Sequence, residues 1–140
     1  METTLSSAAE AVRGLAPFIG TSQMRVMSDG CRGEEGEWFR EKLCELAGII
    51  ERMPCSYATD GQGDRAIVHL HYFTGGWDFY LIEKDANPDQ HQAFGLVVGF
   101  EPELGYICLP EILQAGAELD LHWEPKTLAE VRNGKGLVHE

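Results

Sequence analysis

Two histidines two residues apart, His69 and His71 in the run VHLHYF, are the residues best suited by type and spacing to do chemistry. On a strand, alternate side chains share a face, so both imidazoles project together at a spacing that can suit a metal, with Ile67 and Phe73 as same-face neighbours. A third ligand would have to come from Glu83, Asp78 or His122. The plainer alternative is a pair of histidines on a polar or helix-covered sheet face, and no metal or other cofactor is expected. A second chemistry would couple Cys44 or Cys108 to a histidine as an activated nucleophile. The four cysteines, Cys31, Cys44, Cys55 and Cys108, show neither a C-x-x-C pair nor regular spacing, which leaves no framework for a zinc site or for disulfides. G-x-S-x-G, P-loop, H-E-x-x-H and strand-borne G-x-G-x-x-G patterns are absent. No catalytic residue is therefore assigned, and the expectation is a protein that is not an enzyme. The runner-up is a small metal- or thiol-dependent enzyme using His69 and His71.

The carboxylates carry a stronger signal. The chain holds 23 acidic against 11 basic side chains, a net charge of −12, which repels nucleic acid and argues against direct DNA or RNA binding. Such a charge can serve solubility alone. Its placement is uneven, however. From Glu83 to Asp120 there are eight acids, Glu83, Asp85, Asp89, Glu101, Glu103, Glu111, Glu118 and Asp120, against one base, Lys84, a net −7. One reading is a set of solvated turns. The other is a carboxylate patch made of Glu83, Asp85, Asp89, Glu101, Glu103, Glu118 and Asp120, aimed at a basic surface that otherwise holds phosphates. Among the interspersed aromatics Trp77, Phe79, Tyr80, Tyr106 and Trp123, most are expected in the core, with one or two at the patch edge as anchors.

The elements that must position these groups follow from periodicity. A length of 140 residues with 44% apolar content is enough for one core, so a single domain over 1–140 is expected. Ser6 to Leu15 reads as a helix capped by serine and ended before Pro17. Gln23 to Met27 reads as a short strand, because Met24 and Val26 alternate with polar positions, and DGCRGEEGE after it reads as loop. The clearest helix runs from Glu37 to Met53. Phe39, Leu43, Leu46, Ile50 and Met53 recur at spacings of three and four, Trp38 and Ile49 widen the stripe, and Pro54 closes it. Glu34, Glu35 and Glu37 suit the positive end of its dipole. Pro54 to Arg65 is a turn-rich joint between a mainly helical first part, 1–60, and a β-rich second part, 66–132.

In that second part Ala66 to Phe73 and Trp77 to Glu83 form a hairpin about Thr74-Gly75-Gly76. Phe94 to Phe100 and Gly105 to Leu109 form another, joined by Glu101 to Leu104. Ala117 to Glu124 adds a fifth strand with one wet face. Short helices are expected at Pro110 to Gln114 and Pro125 to Arg132, each opened by proline, before a tail at 133–140. The fold class is α+β: an antiparallel sheet of four to five strands, one main helix packed on a face, and short flanking helices. An exposed face on that helix would instead imply a homodimer. Met1-Glu-Thr-Thr-Leu has no basic n-region, and no apolar run approaches the roughly 18 residues of a membrane span, so a cytoplasmic protein with reduced thiols and no membrane contact is expected.

The run FGLVVGFEPELGY, Phe94 to Tyr106, resembles the core of a small domain-of-unknown-function family carried by plasmid, phage and integrative-element proteins. YFTGGWDFYLIEKD, Tyr72 to Asp85, resembles that family's strand pair, and LPEI with EPKTLAEV, Glu124 to Val131, resembles its closing elements. The resemblance covers Ala66 to Arg132, and the first 60 residues depart from it. It brings no catalytic residue with it. What it implies is company among the accessory proteins of mobile elements, including inhibitors of host defence such as anti-CRISPR proteins. The function expected on this basis is a non-enzymatic acidic inhibitor acting in the host cytoplasm, whose partner is the basic surface of a nucleic-acid-binding protein or CRISPR–Cas complex. An accessory structural subunit of a mobile-element complex is the remaining alternative.

Overall fold

The computed structural model describes residues 4–134 and divides the chain into two units, Met1–Arg52 and Met53–Glu140. The division falls just ahead of the turn-rich joint at Pro54.

The first unit is helical throughout. Helix α1 spans Leu5–Leu15, and its cap is Thr4 rather than Ser6, because the Thr4 hydroxyl accepts from the Ser7 N–H at 3.0 Å. Helix α2 spans Thr21–Gly30, where a strand was expected. The alternation of Met24 and Val26 misled: Val26 is 64% exposed while Met27 is fully buried, so the chain turns with helical period and only one side packs. Helix α3 spans Gly36–Arg52 and buries Leu43, Leu46, Ile49 and Ile50, as the stripe predicts. Trp38 stays at the surface with Lys42 over its ring. Within the unit α3 packs on α1 and α2, and Arg40 of α3 donates to the Cys31 carbonyl at 2.8 Å, satisfying a backbone acceptor just past the end of α2.

The second unit is an antiparallel five-stranded sheet with a two-stranded sheet and two helices, giving the α+β class overall. The expected first strand breaks at His69 into β1, Ile67–Val68, and β2, Leu70–Thr74. Strand β3, Trp77–Glu83, pairs with β2 across Gly75 and Gly76, whose φ values of 51° and 87° supply the left-handed pair such a tight hairpin needs. Strands β4, Gln92–Val98, and β5, Pro102–Cys108, are joined by a turn of only three residues, 99–101. Glu103 and Leu104, expected in the turn, therefore belong to β5. Helix α4 follows directly, Leu109–Gln114. The wide fifth strand shrinks to β6, Glu118–Leu119, on the far side of β2. Strand β7, Lys126–Thr127, pairs with β1, and helix α5 runs Leu128–Gly134.

Helix α5 begins at a capping box rather than at Pro125. The Thr127 hydroxyl accepts from the Glu130 N–H at 3.1 Å, and the Glu130 carboxylate accepts from the Thr127 N–H at 3.1 Å. Asn133 and Gly134 lie inside this helix, whereas residues 135–140 of the expected tail lie outside the described residues. Ala66, Val68, Tyr80, Ile82, Leu96, Leu128 and Val131 form one buried cluster of the unit, with Val98 and Trp123 packed against it.

Candidate functional site

The sheet order is β5-β4-β3-β2-β6, and it decides which candidate residues can act together. His71 in β2 sits between two carboxylates. Its Nε2 is 2.7 Å from an Asp78 oxygen of β3, and its Nδ1 is 2.9 Å from Asp120 just after β6. The ring stacks on Tyr80 at 4.6 Å between centroids, with Trp123 5.2 Å away. Both ring nitrogens are thus engaged, and neither is left to ligate a metal or to move a substrate's proton. Asp120 is held in turn: its other oxygen accepts from the His122 N–H at 3.0 Å, and its own N–H donates to the His71 carbonyl at 2.8 Å. The arrangement ties β6 across β2 to β3.

His69 stands at the break between β1 and β2, where its N–H donates to the Leu81 carbonyl at 2.9 Å, and burial pulls its pKa below the ordinary 6.5. Of the three suggested third ligands, Asp78 is spent on His71 and Glu83 is engaged elsewhere. Among the described residues no group of three or more His, Cys, Asp or Glu is placed to hold a metal. The thiol couple fares no better. Cys44 lines a shallow groove of about 550 Å³ with Ser7, Glu10 and Glu51, and neither Cys44 nor Cys108 hydrogen-bonds a histidine among the described residues.

The expected carboxylate patch comes apart into separate roles. Glu83 is 4% exposed, and its two oxygens accept from the Tyr57 N–H at 2.8 Å, the Thr59 N–H at 2.9 Å and the Thr59 hydroxyl. It anchors the 54–62 loop to β3 and presents nothing to a partner, a correction to its place in the patch. The run YATDG, Tyr57 to Gly61, hides this anchor, because nothing local marks which distant carboxylate its N–H groups will meet. Asp120 is likewise committed to His71. Asp85 accepts from the Asn87 and Gln92 N–H groups at 2.8 and 2.9 Å, which hold its carboxyl below the usual range. Together with exposed Asp89 it shapes the β3–β4 connection. Glu118 is exposed on β6, the opposite edge of the sheet from β5 and about 19 Å across four strand spacings.

What remains together is the β4–β5 hairpin. Glu101 in the turn and Glu103 in β5 are both exposed. The same hairpin carries exposed aromatic and apolar residues outside the alternating core pattern. Phe100, at the turn, is 96% exposed and packs edge-on against Trp77, itself 38% exposed, with ring centroids 5.6 Å apart. A Cβ at Gly99 would run into the Trp77 ring, so the glycine is what lets the turn close over the indole. Leu104 and Tyr106 follow along β5 at 47% and 57% exposure, and Tyr106 meets Phe94 edge-on at 5.5 Å. The Tyr106 phenol donates to the neighbouring Tyr57 phenol oxygen, which holds its proton and raises its pKa. Of the aromatics expected in the core, Tyr80 and Phe79 are buried, whereas Trp77 and Tyr106 are exposed, Trp77 on the Glu103 face of the sheet and Tyr106 on the other. From 85 to 125 the chain has eight acids and no lysine or arginine, so no cation of the hairpin offsets its charge.

Comparison with protein-family models, with curated proteins and with solved structures returned no match.

Proposed function

We propose that this chain is a non-enzymatic inhibitor from a mobile genetic element, which binds a host nucleic-acid-handling defence complex, a CRISPR–Cas effector or its nuclease, through the anionic β4–β5 hairpin. The observation that carries the reading is the nearly full exposure of Phe100 beside Trp77, flanked by Glu101 and Glu103 in a hairpin that contains no lysine or arginine. An aromatic held out in water contributes little to folding, while buried in a partner's pocket it is the kind of anchor that dominates an interface. Carboxylates around it steer the approach to a basic groove and set the partner's charge. The resemblance of Phe94 to Tyr106 to proteins of plasmids and phages supports the choice of a defence complex as target.

The test is inhibition of a purified DNA-targeting effector at low and physiological salt. Phe100→Ala should weaken inhibition by about 30-fold, the equivalent of an anchor worth roughly 2 kcal/mol, without lowering the melting temperature. Glu101→Lys with Glu103→Lys should weaken it most at low salt, where the Debye length is longest. Folded variants that both inhibit like the wild type at both salts would refute this surface, and a wild type that inhibits no effector would refute the target.

A further inference from the structure

Strand β5 is an outermost strand, and one proline reveals which of its backbone groups face outward. Pro102 has no N–H, so its register with Val98 must be a non-hydrogen-bonded pair; the alternation then makes Glu103, Gly105 and Ile107 the residues bonded to β4. The Leu109 N–H to His91 carbonyl bond, 3.2 Å, continues the same alternation past the strand end. Leu104 and Tyr106 therefore direct their N–H and C=O groups away from the sheet, where no described residue pairs with them.

Edges of this kind are commonly blunted by shortness, lysine, bulges or inward charges. Here β5 has seven residues in unbroken register with β4, carries no lysine, and exposes Leu104 and Tyr106; Pro102 closes the first position alone. Gly105 adds an independent sign. A Cβ there would meet nothing within 4 Å, in contrast to Gly95 opposite it, where a Cβ would collide with the Tyr80 carbonyl. The chain's own packing requires Gly95 and does not require Gly105. A glycine without an internal reason inside an edge strand fits the close approach of another backbone.

We propose that β5 receives an extended basic segment of the partner as a sixth strand of the sheet. The proposal rests on the binding reading above and specifies how the basic partner engages. Charge selects the occupant: a strand bearing lysine or arginine meets Glu101 and Glu103 on a hairpin that has no lysine or arginine over 92–108, whereas a second copy's β5 would bring the same two carboxylates and no base to neutralise them. The register selects its pattern. Residues opposite Leu104 and Tyr106 share their face and are apolar, those on the Glu103 face are basic, and Gly105 leaves room there for a long side chain.

The probe is a ten-residue peptide alternating valine and lysine, used below its own association threshold, with alternating valine and glutamate as its control. Expected are binding of the lysine peptide alone and slowed hydrogen exchange at the Leu104 and Tyr106 amides. N-methylation of the peptide's pairing amides, which keeps its charge and leaves the protein untouched, should weaken binding about tenfold or more. Leu104→Pro, which removes an outward N–H, should do the same while sparing the β4 ladder. Unchanged exchange at these amides, equal binding of the methylated peptide, or a wild-type dimer whose own β5 amides are protected would each overturn the proposal. The two readings fail separately: an effector inhibited normally by a folded Leu104→Pro variant sinks strand addition and spares the hairpin surface, while a paired peptide without effector inhibition does the reverse.

Discussion

Glu83→Gln is the substitution whose cost can be worked most directly from the geometry. The carboxylate is 4% exposed and accepts three hydrogen bonds, two of them from the backbone N–H groups of Tyr57 and Thr59. A carboxamide keeps the shape but has one accepting oxygen, so its NH2 end must face a donor. At least one charge-assisted bond is lost and one buried N–H is left unpaired, at about 2–4 kcal/mol. Tyr57 adds to the strain on this loop: its φ is 69°, a left-handed conformation that a bulky residue holds only when its surroundings dictate it. With the tether weakened, the loop should relax toward ordinary φ. The melting temperature should fall by roughly 10 °C for a chain of this length, and exchange at the Tyr57 and Thr59 amides should quicken more than in β3 itself. A variant melting within about 1 °C of the wild type with those amides still protected would show that the carboxylate does not hold the loop.

Two further outcomes follow from burial. Leu46, 4% exposed in the α3 core, should cost about 2–5 kcal/mol when changed to alanine, measured by urea unfolding; a smaller loss would mean the face is not packed as described. His69 is held below its ordinary pKa of 6.5, so the unfolded chain takes up that proton more readily than the folded one. Its contribution should be complete above pH 6.5 and decline as the pH falls through that value toward the folded pKa, and His69→Asn should flatten this part of a melting-temperature profile.

The elements that were legible from sequence are those in which one period dominates. Helix α3 shows its stripe because Leu43, Leu46 and Ile50 all face one way, and the β2–β3 hairpin shows itself through Gly75 and Gly76. Helix α2 was misread because ten residues with a single fully buried side chain, Met27, leave too few points to separate a period of two from one of 3.6. The expected β4–β5 turn starts two residues and ends three residues late because Pro102 looks like a turn residue, although as the first residue of an edge strand it needs no partner for its nitrogen. The candidate carboxylates were found by charge, yet charge alone does not say which find internal donors. Glu83 and Asp120 do so through contacts 26 and 49 residues apart in sequence, a separation no local pattern records. Phe100 is legible only as an apolar residue beside an expected turn, and its seat against Trp77 depends on Gly99, which has no Cβ to meet the indole.

The two edges of the five-stranded sheet are unequal, and that inequality limits stoichiometry. Edge β6 offers two ladder residues, Glu118 and Leu119, and the Asp120–His71–Asp78 bridge fastens it to strands already inside the sheet. Edge β5 is seven residues long, with the backbone groups of Leu104 and Tyr106 turned outward along an unbroken stretch. Head-to-tail growth would require the long edge of one molecule to meet the short edge of the next, and the short edge has too little backbone to pair. A sheet built this way admits one neighbour and then stops, so strand addition at β5 yields a closed one-to-one complex and gives no route from that complex to a fibre.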